Sequence, residues 1–153
     1  MFKLPIDELV AREAIRLTLS SYVICGDGGD KDGFLRCFTE DGILEMDALL
    51  CEGRAALRKW LDSSRPYGDN VVRPRAKIVR HHLTTSRIRF ESAELAEGRT
   101  YFQTLTDIGL DHFGYYVDQF RNVDGEWLIA HRRVRLQWRA PDSFIRLNGE
   151  NPS

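Results

Sequence analysis

Along the first part of the chain, Ile6, Leu9, Val10, Ala14, Ile15, Leu17, Leu19, Tyr22 and Val23 recur at helical spacing, with Arg12, Glu13 and Arg16 between them. This pattern predicts an amphipathic helix from Pro5 to about Cys25. CGDGGDKDG then breaks the period, and Asp30 is placed to cap a short second helix that carries Phe34, Leu35 and Phe38. In TEDGILEMDALLCEG the first four residues are turn-like, after which Ile43, Glu45 and Asp47 alternate with Leu44, Met46 and Ala48 as in a strand. RAALRKWLDSS returns to helical spacing through Ala55, Leu57, Trp60 and Leu61, so a third helix follows Gly53. Pro66, Gly68, Asn70 and Pro74 make residues 64–76 an extended loop of a length that usually serves function, here by excluding water from a site.

Beyond Lys77 the period changes to that of strands. Runs at 77–90, 97–107, 113–122 and 126–138 are separated by turns, and Asp124-Gly125 is the strongest hairpin signal. Helices followed by a run of antiparallel strands predict an α+β domain whose helices cover one face of a curved sheet. It spans residues 1–147, with 148–153 as a frayed tail, and no repeat, heptad or low-complexity segment divides it.

Composition narrows the partners. A chain of 153 residues with 22 basic and 23 acidic side chains and a net charge of −1 suits one domain with no global field for nucleic acid or an anionic membrane. Small molecules or further copies of the chain are the expected partners. The N-terminus lacks the apolar stretch of a signal peptide, and no run approaches the ~20 apolar residues of a membrane span, so the expected location is cytoplasmic. Cys25, Cys37 and Cys51 are odd in number and far apart, which argues for buried apolar residues over disulfides or a thiolate metal site.

KIVRHHLTTSRIRF raises the question of chemistry, because His81 and His82 stand side by side in a strand whose successive side chains face opposite ways. His82 shares a face with Thr84, Ser86, Ile88 and Phe90, and His81 with Leu83, Thr85, Arg87 and Arg89. The alternation thus predicts His82 inward and His81 towards solvent or a subunit contact. An inward histidine becomes a general base when a carboxylate steadies its cationic form, and Asp27, Asp30 and Asp32 are the candidates. Metal binding is disfavoured: there is no H-E-x-x-H or H-x-H, and GDGGDKDG lacks the register and the final glutamate of a calcium loop. In HRRVRLQWR, Arg133 and Arg135 share a solvated or subunit-facing row, while Arg132 lies beside Val134, Leu136 and Trp138 and needs a carboxylate or substrate partner.

AREAIRLTLSSYVICGDGGDKDGFLRCFTEDGILEMD, EGRAALRKWL, RHHLTTSRIRF and FRNVDGEWLIAHRRVRL together resemble the SnoaL-like family of the nuclear-transport-factor-2-like superfamily, including its dehydrochlorinase and scytalone dehydratase-type members. The resemblance implies a cone: a strongly curved, mostly antiparallel sheet wrapped around three N-terminal helices and enclosing an apolar pocket. It also implies cofactor-free dehydration, dehydrohalogenation, isomerisation or cyclisation of a small hydrophobic or aromatic molecule. The positions matching the family's catalytic aspartate, histidine and arginine are Asp27, His82 and Arg132. Tyr22, Tyr116, Trp60 and Phe38 are the expected substrate-binding residues, Tyr22 or Tyr116 assisting Arg132 in polarising an oxygen. No cofactor or metal is expected, and the assembly is expected to be a homodimer or homotrimer. The rival expectation is a non-catalytic binding protein or an oxygenase β-subunit-like assembly module, which would use Arg87, Arg89, Arg133, Arg135 and Trp127 on the outer sheet face.

Overall fold

The computed structural model describes residues 4–47, 49–63 and 76–145. Helix α1 spans Ile6–Gly28 and α2 spans Lys31–Arg36; strands β1 (Phe38–Met46) and β2 (Leu49–Glu52) form a hairpin, and α3 covers Gly53–Asp62. Four long strands follow: β3 (Val79–Phe90), β4 (Leu95–Thr106), β5 (Gly109–Val123) and β6 (Glu126–Arg139). The six strands make one sheet in the order β2-β1-β6-β5-β4-β3, antiparallel except for the parallel β1–β6 pair. The sheet is open, with β2 and β3 as its edges.

Local chemistry explains the boundaries. Asp30 caps α2 as expected, accepting from the Gly33 N–H at 2.9 Å. Asp124 and Gly125 have φ of 53° and 91°, the paired positive values of a two-residue hairpin turn. The CGDG segment, expected to interrupt α1, instead forms its last turn. Helix α1 ends at Gly29, whose φ of 76° only glycine adopts without strain. TEDG is likewise not a free turn but an irregular stretch within β1, where the register to β6 shifts between Phe38 and Ile43. Phe38 therefore opens β1 rather than belonging to α2. The expected loop 64–76, apart from Ala76, and the expected tail lie outside the described residues.

The core lies between the inner sheet face and the helices: Ile15 and Leu19 of α1, Phe34 and Leu35 of α2, and Leu57 of α3 meet Phe38, Leu44, Phe120, Trp127 and Ile129. Burial of each such side chain contributes about 1.5–3 kcal/mol. Two corrections follow. Trp127 is 5% exposed and packs on Phe90 inside, not on the outer face, because the β5–β6 register shifts between Gln119 and Phe120 and reverses the alternation at Ala130. Helix α1 is also not one-sided: Ile6, Val10, Leu17 and Ile24 are more than 60% exposed.

Candidate functional site

The last turn of α1 carries Asp27 to the start of β3. One carboxylate oxygen, Oδ2, accepts the His81 backbone N–H at 2.8 Å, and Oδ1 lies 2.6 Å from His81 Nδ1. A carboxylate held at two points by one residue fixes both its own orientation and the imidazole's. With Nδ1–H donating to Asp27, the lone pair resides on Nε2, the tautomer a proton acceptor requires. The Asp27 side chain is 9% exposed and that of His81 is 24%, so the acid is covered while the ring stays reachable. Burial opposes ionisation of Asp27, but hydrogen bonds from the His81 ring and N–H, with the charges of His81 and Arg80, outweigh it and hold the carboxyl below its ordinary range.

The histidine paired with Asp27 is therefore His81, not His82. His82 is exposed, and Asp27 makes its contacts to the neighbour. A bulge between Leu83 and Ser86 places an extra residue in β3 opposite β4. Ile88 is buried with Phe90 packed on the core, but upstream of the bulge the inward positions are Leu83 and His81. Counting back from Ile88 by twos lands on His82 and misses the reversal.

Sequence reasoning also passed over a second pair. His112 Nδ1 lies 2.8 Å from Asp111 Oδ1, and Asp111 additionally accepts from Ser143 at 2.5 Å and Thr106 at 3.2 Å. Both members are buried, with 0% exposure for Asp111 and 5% for His112. Burial pushes the His112 pKa down, the Asp111 contact only partly offsetting it and nearby His81 adding to the fall, so the ring is held neutral. Asp111, although buried, is kept below its ordinary value by Ser143, His112 and Thr106. The His81 and His112 rings are 6.2 Å apart at 74°. Thr104 sits between them in register, opposite His81 on one side and His112 on the other, and its buried hydroxyl has no hydrogen-bond partner. The available signal was parity: His112 shares the inner row of β5 with Tyr116, already a candidate.

From this polar end a run of rings continues inward. His81 is 6.3 Å from Phe102, Phe102 stacks on Tyr116 at 4.6 Å, and Tyr116 meets Tyr22 edge-on at 5.9 Å. Tyr22 then contacts Phe34 at 4.6 Å and Phe38 at 5.9 Å, and Trp60 reaches Phe34 at 6.3 Å. The structure brings Tyr22 and Tyr116 beside Arg132, whereas Phe38, at 0% exposure, and Trp60 are packing partners on the far side of this cluster.

Arg132 has found a carboxylate. Its Nε and Nη2 donate to the two oxygens of Asp118, both at 2.8 Å, and its guanidinium lies 4.1 Å from the Tyr22 ring and 4.1 Å from the Tyr116 ring. Burial alone would lower its pKa, but the charge and hydrogen bonds of Asp118 outweigh this and raise it. Arg132 is wholly buried, and its Nη1 alone lacks a hydrogen-bond partner. Most of its charge is thus committed to the fold.

Asp30 and Asp32, the other candidate acids, are taken up by the Gly33 N–H and by Arg58 respectively. Burial raises all three thiols, Cys37 to about 11, so none is a ready thiolate. Among the described residues no group of three or more His, Cys, Asp or Glu is placed to hold a metal ion. No described helix is long and apolar enough to cross a membrane.

Solved structures share this architecture. A protein of unknown function from Mycobacterium tuberculosis is 28% identical, with a TM-score of 0.73 over 97% of this chain and 85% of its own. A protein of unknown function with a cystatin-like fold from Nostoc punctiforme matches with a TM-score of 0.73 and 19% identity, over 93% of this chain and 98% of its own. A LinA-type hexachlorocyclohexane dehydrochlorinase from Novosphingobium barchaimii matches with a TM-score of 0.74 and 18% identity, over 97% of each chain. At such identities the last two speak for the fold alone. No curated protein matches the chain in sequence. The SnoaL-like domain model matches residues 7–133, and with the open α+β sheet and its three helices this places the chain in the SnoaL-like domain family.

Proposed function

We propose that the protein is a cofactor-free lyase or isomerase of a small hydrophobic or aromatic molecule, with His81 as general base and Asp27 as the group that orients it. The observation that carries this is the two-point hold of Asp27 on His81, which leaves Nε2 with a lone pair and stabilises the imidazolium that forms. His81 Nε2 takes a proton from carbon. The electron pair of the broken C–H bond forms the new double bond, and the departing group carries away its own pair and receives the proton back from the imidazolium. In an isomerisation the same proton returns to a different carbon. His112, held neutral, does not add a second positive charge beside this imidazolium. A positioned base contributes typically 10²–10⁴-fold.

The similarity to a hexachlorocyclohexane dehydrochlorinase makes hexachlorocyclohexane a reasonable first probe, followed by cyclic β-hydroxyketones. Product formation should fall by at least about 10²-fold in His81→Ala and in Asp27→Asn, and stay near wild type in His82→Ala. Equal activity in His81→Ala, or an equal loss in His82→Ala, refutes the assignment.

We further propose that the chain self-associates as a dimer or trimer. The exposed Ile6, Val10, Leu17 and Ile24 on α1 and the exposed Tyr101 and Trp138 on the sheet support this reading. A monomer mass in sedimentation equilibrium overturns it.

A further inference from the structure

The outer face of the sheet, opposite the dyad, carries a cavity of about 340 Å3 lined by Arg87, Arg89, Arg99, Arg133, Val117 and Gln119, among others. Its charges are unevenly matched. Arg89 is paired with Glu97 at 2.7 Å, and Arg133 and Arg135 share Glu45 at 3.1 Å and 2.6 Å. Asp118, which also borders the cavity, is fully engaged by Arg132 from the inner side. Arg87 and Arg99 stand directly opposite each other in the β3–β4 pair, and neither has a carboxylate partner among the described residues. Like charges facing across two strands repel, and an anion between them would relieve that repulsion. Arg99 is exposed, and its guanidinium lies 3.9 Å from the Tyr115 ring, a contact that steadies it.

We infer that this cavity is a binding site for a small organic phosphate. Two unspent guanidinium forks present the bidentate donors that phosphate oxygens take, and Arg133 and the Gln119 amide extend the donor set. The volume exceeds what a bare ion fills and falls at the small end of ligand clefts, while Val117 supplies apolar surface for a carbon skeleton. The site is separate from the Asp27–His81 pair, so its occupancy does not depend on the catalytic reading.

Isothermal titration calorimetry of the intact protein at low salt tests it, with ribose 5-phosphate and inorganic phosphate as probes and sodium chloride at matched ionic strength as control. Saturable binding of one ribose 5-phosphate per chain is expected, tighter than inorganic phosphate, and weakened about tenfold or more in Arg87→Gln and in Arg99→Gln. Arg16→Gln, on the exposed side of α1, should leave it unchanged. Heat reproduced by sodium chloride, an affinity unaltered in the double variant Arg87→Gln/Arg99→Gln, or equal weakening by Arg16→Gln overturns the inference. So does inorganic phosphate binding as tightly as the sugar phosphate, which reduces the cavity to a general anion trap. A double variant that loses an oligomer in sedimentation, with no phosphate binding in the wild type, assigns the arginines to carboxylates of a second copy and also overturns it.

Discussion

Replacing Asp118 with alanine leaves the Arg132 guanidinium in a site with 0% exposure and without its bidentate partner. The arginine cannot escape by losing its proton, since such a group stays charged in proteins. Breaking a buried pair by removing one member costs about 3–5 kcal/mol. For a chain of this length each kcal/mol lowers the melting temperature by roughly 2–4 °C, so circular dichroism should register a fall on the order of 6–20 °C. Arg132→Met leaves the opposite orphan, a carboxylate, which can protonate; its deficit should therefore shrink as the pH is lowered from neutrality, whereas that of Asp118→Ala should not. The double variant Asp118→Ala/Arg132→Met removes both charges and should cost clearly less than the sum of the singles, a coupling measured by urea unfolding of all four proteins. Single-variant losses below about 1 kcal/mol, or strict additivity, would show that the guanidinium is not held as described. The outcome also bears on Arg132's expected share in catalysis, because a group whose loss mainly unfolds the protein is positioning Tyr22 and Tyr116 rather than meeting a substrate.

Two further expectations concern stability. The His112 pKa lies below its ordinary 6.5 in the fold, so the unfolded chain binds the extra proton first, and stability is present above 6.5 and lost as pH falls from there towards the folded value. His112→Gln should flatten the fall of urea-derived stability as pH drops below 6.5, and an unchanged slope refutes the burial argument. Gly114→Ala should cost about 3 kcal/mol or more, since a Cβ there would stand 2.0 Å from the Arg135 carbonyl oxygen, backbone that cannot swing aside. Gly28→Ala, with nothing near its would-be Cβ, should instead gain about 0.5–1 kcal/mol, and equal melting temperatures for the two variants would contradict this contrast.

The elements were legible because their signals are local. Asp30 as a cap, Asp124-Gly125 as a turn and the strand periods of the second half all depend on near neighbours. Phase across a bulge is not local. It depends on how β3 pairs with β4 and β5 with β6, and each reversal moves a residue to the other face: His81 rather than His82 turns inward, and Trp127 lies inside. Of the three candidate acids, Asp27 is singled out by the family resemblance, while the glycines around it read as a break. Gly29 ends the helix, so Gly26 and Gly28 are helical and Asp27 lies within its last turn. Asp111 and His112 are illegible in sequence because their meaning comes from Ser143, Thr106 and His81, residues far apart along the chain.

The bulge in β3 has a bearing on how relatives are compared. In a regular strand two residues that face the interior are separated by an even interval, yet from His81 to Ile88 the interval is odd. A relative lacking Thr84 or Thr85 would restore even spacing and still present its equivalent of His81 inward, so loss of one residue there leaves the facing of both imidazoles unchanged. A gap aligned beside the histidines instead of at Thr84–Thr85 would pair His81 with the wrong residue of such a relative.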